Sequence, residues 1–445
     1  MSFLLALALS ASLDADAALR HASALAALGP HPWGSSRNDA AAEYVAAELR
    51  GAGLSEVELL GFERHGIRGT NVIATLRGPS EEMLVVCAHH DTAPEAPGAY
   101  DDGGGVGLLI ELARVMSQES TRTRTIVFAS FDGEEAWATG KGRTAGSRAW
   151  IERLGPGARR IVAVVAVEMS GWKGGTPVLH PIAYSDPREA GGTVVAPGWL
   201  VRTVLAGAGE VGAPFRVGDP ILSWVYQPTV RAFRAKLYGD DLSFLQAGVP
   251  AVMVSDSSFS AFYPHYHQAT DTADQLDVGA LRRMGDGLVG AVRALQRAPA
   301  GAAEDRRWFA ASGQVIGSSL LLAAAIASVL PGLRTGLVGG VPVLLARVAQ
   351  AGLFGVLVWR HPIPAMWVFL LPNVVLPLGR ARWATALAVA PLTALLVLGA
   401  AGWFRGVVSG VWLAPWEIVL AILALALAFI RPARVSKKKR KKRRR

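Results

Sequence analysis

Two regimes of hydrophobic patterning divide the chain. Up to about Glu304, apolar residues come in short blocks between acids, bases and turn residues, whereas beyond Trp308 long stretches of Leu, Val and Ala run with almost no acidic residue. Within the first regime the blocks switch between helical and strand periods, which predicts an α/β sheet covered by helices. "NDAAAEYVAAELRGAGL", from Asn38, sets Tyr44, Val45 and Leu49 on one helical face and ends at Gly51 and Gly53. Strands are expected at Asn71 to Leu76, Met83 to Ala88, Thr125 to Ser130 and Ile161 to Val167, with helices at Gly105 to Met116 and Ala145 to Leu154. A further strand, "VPAVMVS", ends at Ser255, and a closing helix covers about Asp277 to Gln296.

The second regime reads as a membrane domain. Residues 298–311 have linker composition, and after them about five apolar spans, in a range of three to six, are expected near Ser312 to Leu330, Gly336 to Val358, Ile363 to Leu378, Ala384 to Ala400 and Val411 to Ile430. Five spans place Arg334, Arg380, Arg382 and the basic residues of 432–445 on one side. By the positive-inside rule the domain 14–297 is then extracytoplasmic, periplasmic or lumenal, and the tail cytoplasmic. The expectation is an integral membrane protein with lipid as a partner. Residues 1–13, "MSFLLALALSASL", fit either a degenerate secretory signal or an ordinary amphipathic first helix.

Composition adds little to this division. The mean hydropathy of +0.32 reflects the second regime. The net charge of +10 owes much to "KKKRKKRRR", Lys437 to Arg445. No aromatic and basic reading surface accompanies that tail, which argues against a nucleic-acid partner and suits a cytoplasmic membrane flank. The single cysteine, Cys87, rules out an intrachain disulfide and reads as a small core residue.

Candidate chemistry gathers where strands end. In "AHHDT" strand alternation puts His89 and Asp91 on one face, so the carboxylate can hold the imidazole in a metal-binding tautomer, with His90 pointing away. "YDDGGG" offers Asp101, placed to bridge two cations, and Asp102, which reads as a helix cap. "FASFDGEE" delivers Glu134 and Glu135 side by side at the end of a buried strand, where they repel unless a cation or proton offsets them. "IVAVVAVE" buries an apolar run and then presents Glu168, which is costly unless paired. "FYPHYHQATDT" supplies His265 and His267. Two His and three acids, with one glutamate to spare, suit two zinc ions with a bridging carboxylate and water, the spare glutamate taking the proton.

Over roughly Gly29 to Arg297 these motifs, in this order, resemble the cocatalytic-zinc aminopeptidase family, which includes bacterial leucyl aminopeptidases, membrane metallopeptidases of the endoplasmic reticulum and vacuole, and glutaminyl cyclases. The resemblance implies a three-layer α/β/α zinc-exopeptidase domain with a mixed central sheet. It also implies that His89 and Glu168 hold one zinc, that Glu135 and His267 hold the other, and that Asp101 bridges them. Glu134 would be general base and then acid, Asp91 would orient His89, and the Tyr266 hydroxyl would stabilise the oxyanion. The sequence departs from the family pattern at Gly239, Asp240 and Asp241, where Ser-Asp-His is usual, at Glu168, where Asp is frequent, and at Asp102, where Asn is common.

The reading that follows is a membrane-anchored di-zinc metallo-aminopeptidase acting on peptides. Two others compete with it: a glutaminyl-peptide cyclase, which needs one zinc, and a receptor or interaction domain that has lost catalysis and should lack ligands.

Overall fold

A computed structural model describes residues 12–135, 144–183, 194–217, 239–256, 263–301, 308–311 and 314–317. The chain divides into two units. The first comprises Met1–Ser223, Arg234–Arg306 and Ser312–Val315, and the second comprises Trp224–Phe233, Arg307–Ala311 and Ile316–Arg445. The fold described here, from Leu13 to Arg297, belongs to the first.

Eight strands form one mixed sheet. β1 (Glu56–Arg64) and β2 (Ile67–Leu76) make an antiparallel hairpin, with His65 and Gly66 both at positive φ in its two-residue turn. β2 pairs antiparallel with β4 (Thr125–Phe131), and the centre is parallel, β4 beside β3 (Met83–His89), β3 beside β5 (Ile161–Val167), and β5 beside β10 (Ala251–Ser255). β6 (Val178–His180) and β9 (Arg216–Val217) complete the order β1-β2-β4-β3-β5-β10-β6-β9. Two-residue strands β7 (Ile182–Ala183) and β8 (Val194–Val195) pair separately. The central strands are near-continuous apolar runs, "TIVFASF" being buried throughout, as strands covered on both faces must be.

Helices cover both faces. On one lie α4 (Ala145–Leu154) and the helix Asp241–Gln246, here α6, whose Trp150, Phe244 and Leu245 join Val85, Cys87, Val127, Phe131 and Val164 in a core. The other carries α1 (Ala15–Ala26), α2 (Ser36–Gly51), α3 (Gly104–Ser117), α5 (Gly198–Glu210) and the closing helix α7 (Val278–Arg297). α1 is capped by the Asp14 carboxylate, which accepts the Asp16 and Ala17 N–H groups. It approaches α3 so closely that a Cβ at Gly107 would lie 2.3 Å from the Ala18 carbonyl oxygen. The expected α/β sheet with helical cover is therefore present, with a mixed central sheet.

The membrane half of the expectation is corrected. Among the described residues no helix is long and apolar enough to cross a membrane. Gln314–Gly317, assigned to the start of the first span, is a strand, β12, as is Trp308–Ala311, β11. The β-branched pair Val315 and Ile316 favours extended backbone over helix at that point. The integral membrane protein, its extracytoplasmic domain and its cytoplasmic tail are set aside on this finding. The rest of the first span, the other four and the tail lie outside the described residues, as do residues 1–11.

Candidate metal centre

The parallel strands β3, β4 and β5 end at the same edge of the sheet, where open α/β folds place their sites. His89 is the last residue of β3, Glu134 and Glu135 follow β4 by three and four residues, and Glu168 follows β5 directly. All four are buried. Asp101 comes from the turn leading into α3, where a Cβ on Gly104 would sit 1.9 Å from the Ser170 carbonyl oxygen, so only glycine lets that turn seat against the end of β5. His267 arrives from the loop before α7, held in the left-handed region at φ 59°.

These side chains converge. His89 Nε2 lies 3.1 Å from Glu168 Oε1 and 3.3 Å from Asp101 Oδ1. On the other side of the same aspartate, Asp101 Oδ2 is 3.2 Å from His267 Nε2, which is 2.6 Å from Glu135 Oε1. Ligand atoms therefore group as His89, Asp101 and Glu168, and again as Asp101, Glu135 and His267, each group within 4.8 Å; a third combination joins His89 to Glu134 and Glu135. Nitrogen and carboxylate donors in such groups fit zinc. Glu135 Oε2 is buried without a hydrogen-bond partner, a costly arrangement that a cation would relieve.

Asp91 does more than its sequence position suggested. Its Oδ1 accepts the Glu134 N–H and its Oδ2 the Glu135 N–H, both at 3.0 Å, so one carboxylate fixes the backbone of the paired glutamates. The His89 ring is held mainly by the backbone: Nδ1 is 2.9 Å from the Asp91 carbonyl oxygen and 3.5 Å from the Asp91 carboxylate. Asp102 caps α3 through the Gly105 N–H and also accepts the His89 N–H at 3.3 Å. His90 faces away, with Nδ1 2.9 Å from the Ser130 hydroxyl, and burial pushes it down to about 3. The Tyr266 ring stacks on that of His267 at 3.6 Å. His265 pairs instead with Thr270.

The buried carboxyls and imidazoles of the centre perturb one another. Burial and then repulsion from Glu168 and Glu135 hold the Glu134 carboxyl well above its ordinary value. Burial also lifts Glu168 to about 8, against the opposing pull of His89. Burial would lower His267, but hydrogen bonds to Asp101 and Glu135 outweigh it and push the imidazole up to about 10. Burial likewise opposes ionisation of Asp101, and the flanking imidazoles win, keeping it below its usual range. A divalent ion beside these carboxyls would favour their ionised forms.

A nitrogen-and-carboxylate centre at the carboxyl edge of a mixed α/β sheet is the arrangement expected from the sequence for a zinc site. Residues 71–292 match the model of Peptidase family M28. The chain is 26% identical over 269 residues to the "Probable leucine aminopeptidase 1" of Trichophyton verrucosum, covering 57% of this chain and 66% of that protein. It spans only half to two thirds of most of the curated relatives it matches. The fold is similar to that of a zinc aminopeptidase from Bacillus subtilis, with a TM-score of 0.51 at 14% identity, covering 66% of this chain and 99% of that one. It is equally similar to a Porphyromonas gingivalis glutaminyl cyclase, with a TM-score of 0.51 at 20% identity, covering 64% and 99%.

Proposed function

We propose that this chain is a di-zinc aminopeptidase that removes N-terminal residues from peptides. The observation that carries the reading is Asp101, whose two carboxylate oxygens face two separate donor groups, His89 with Glu168 and His267 with Glu135. A single carboxylate shared in this way suits a pair of ions, and a one-metal cyclase has no need of the second group. The match to the peptidase family and the leucine aminopeptidase relatives favour the same reaction.

Two zinc ions would polarise the scissile carbonyl and make water acidic enough to attack at neutral pH. Glu134 belongs to neither of the two groups that share Asp101 and takes the proton from that water as its oxygen bonds to the carbonyl carbon. The same carboxyl then returns the proton to the departing amine nitrogen as the C–N bond breaks, so the balance is one water consumed for two products. Asp91 keeps Glu134 in place for both transfers by fixing its backbone N–H. The hydroxyl of Tyr266 is assigned to the carbonyl oxygen as negative charge develops there.

The test is zinc content of the purified chain, with hydrolysis of aminoacyl p-nitroanilides before and after chelation. Two zincs per chain and chelator-sensitive release support the proposal. One zinc with cyclisation of N-terminal Gln and no release would replace it with the cyclase reading, and absence of metal would leave a binding domain.

A further inference from the structure

Asp271 lies four residues beyond His267 and is fully buried. Its carboxylate collects three hydrogen bonds. Oδ1 accepts the Tyr100 N–H and the Tyr263 hydroxyl, each at 2.9 Å, and Oδ2 accepts the Asp101 N–H at 3.2 Å. Its backbone carbonyl accepts a fourth, from the Ala99 N–H at 3.3 Å. One residue therefore grips three successive backbone N–H groups of the turn that presents Asp101. It also closes the loop from Tyr263 to Asp271 that presents His267, and the Tyr100 and Tyr263 rings, 4.1 Å apart, fill the space between them. The two segments are far apart in sequence, yet Asp101 Oδ2 and His267 Nε2 meet at 3.2 Å.

We propose that Asp271 is a positioning residue that sets the spacing between Asp101 and His267. It thereby governs retention of the zinc held by Asp101, Glu135 and His267 more than retention of the zinc held by His89, Asp101 and Glu168. The inference rests on the two-zinc reading above. Its physical basis is that an aspartate accepts with both oxygens, and each faces a different part of the structure. An asparagine has one acceptor oxygen, so it can serve either the Asp101 N–H or the Tyr100 and Tyr263 donors, and the other side meets an N–H it cannot satisfy.

Asp256 provides the comparison. It too is a buried carboxylate with three donors, the Tyr100 hydroxyl at 2.6 Å and the N–H groups of Gly171 and Trp172 at 2.6 and 3.0 Å. None of these donors is on Asp101 or on the loop from Tyr263 to Asp271. A general loss of packing should therefore affect Asp256→Asn and Asp271→Asn alike, whereas a positioning role separates them.

The experiment measures zinc per chain and the rate of transfer to a chelating dye for the full chain and both variants, with thermal midpoints alongside. Asp271→Asn should keep one zinc and release the other roughly 10–100-fold faster than wild type, the range typical for groups that support metal ligands. Asp256→Asn should lower the thermal midpoint while keeping both zincs and their release rates. Wild-type release in Asp271→Asn, or equal losses in both variants, would overturn the assignment. If Asp271→Asn does not fold, Tyr263→Phe, which removes one donor from the same carboxylate, should still speed release of one zinc, and unchanged release there would also overturn it. Fewer than two zincs in the wild type would instead remove the two-metal reading beneath it.

Discussion

Gly239→Ala is a small change with a large expected effect. A Cβ at this position would lie 2.7 Å from Glu168 Oε2 and 3.3 Å from the Met253 sulfur. Ordinary contact begins near 3.4 Å, so the carboxylate must retreat by about 0.7 Å. A free glutamate would swing away at little cost. A zinc-bound one cannot, because ligand distances tolerate only about 0.2 Å, and its other oxygen already lies 3.1 Å from His89 Nε2. The expected loss is therefore about 10–100-fold in zinc affinity, or about 1.4–2.7 kcal/mol. Competition with a chelating dye measures it. Glu168→Asp, one methylene shorter, should offset the added methyl, so the double variant should bind zinc better than the sum of the two single losses implies. If Gly239→Ala binds zinc as wild type does, Glu168 moves freely and is not a ligand.

Three further expectations concern the same centre. Glu134→Gln should retain both zincs while turnover of an aminoacyl p-nitroanilide falls by about 100-fold or more; undiminished turnover would remove Glu134 from proton transfer. Asp101→Ala should lose both ions, and elemental analysis showing two zincs per chain would end the bridging assignment. In the metal-free protein His267 is pushed up to about 10 and Glu168 to about 8, so both carry a proton at pH 7. Zinc requires both deprotonated, so its binding should release protons at pH 7 and weaken as the pH falls. A binding enthalpy that does not vary with the ionisation heat of the buffer would contradict this.

The parts of the fold that announce themselves in the sequence are the ones whose burial is extreme. β5 occupies Ile161–Val167 as expected, because its run is apolar without break. β1 was not anticipated: "EVELLGFER" is an outer strand with charged residues on both sides and no buried position. α1 escaped for another reason. Its buried face is mostly alanine, Ala15, Ala17, Ala18 and Ala22 with Leu25, and Gly107 of α3 lies against the Ala18 backbone, so the contact rests on small residues that carry little sequence signal. At the site, His89, Glu135 and Glu168 stand out because they follow apolar strands, whereas Asp101 and His267, in the turn into α3 and the loop before α7, are marked only by their motifs and by what the family resemblance implies. The backbone clamp by Asp91, the anchoring by Asp271 and the space left by Gly239 depend on contacts across distant segments. No local pattern encodes them.

The strand order has a kinetic consequence. The donor groups lie on β3, after β4, after β5 and in the loop before α7, so they meet only when parallel pairings far apart in sequence have formed. Parallel pairings of this kind are completed late, since loop closure must be paid for before contacts reward it. The expectation is that the site assembles after the folding nucleus. Zinc should leave the refolding rate nearly unchanged and act on the opposite arm of the chevron, slowing unfolding.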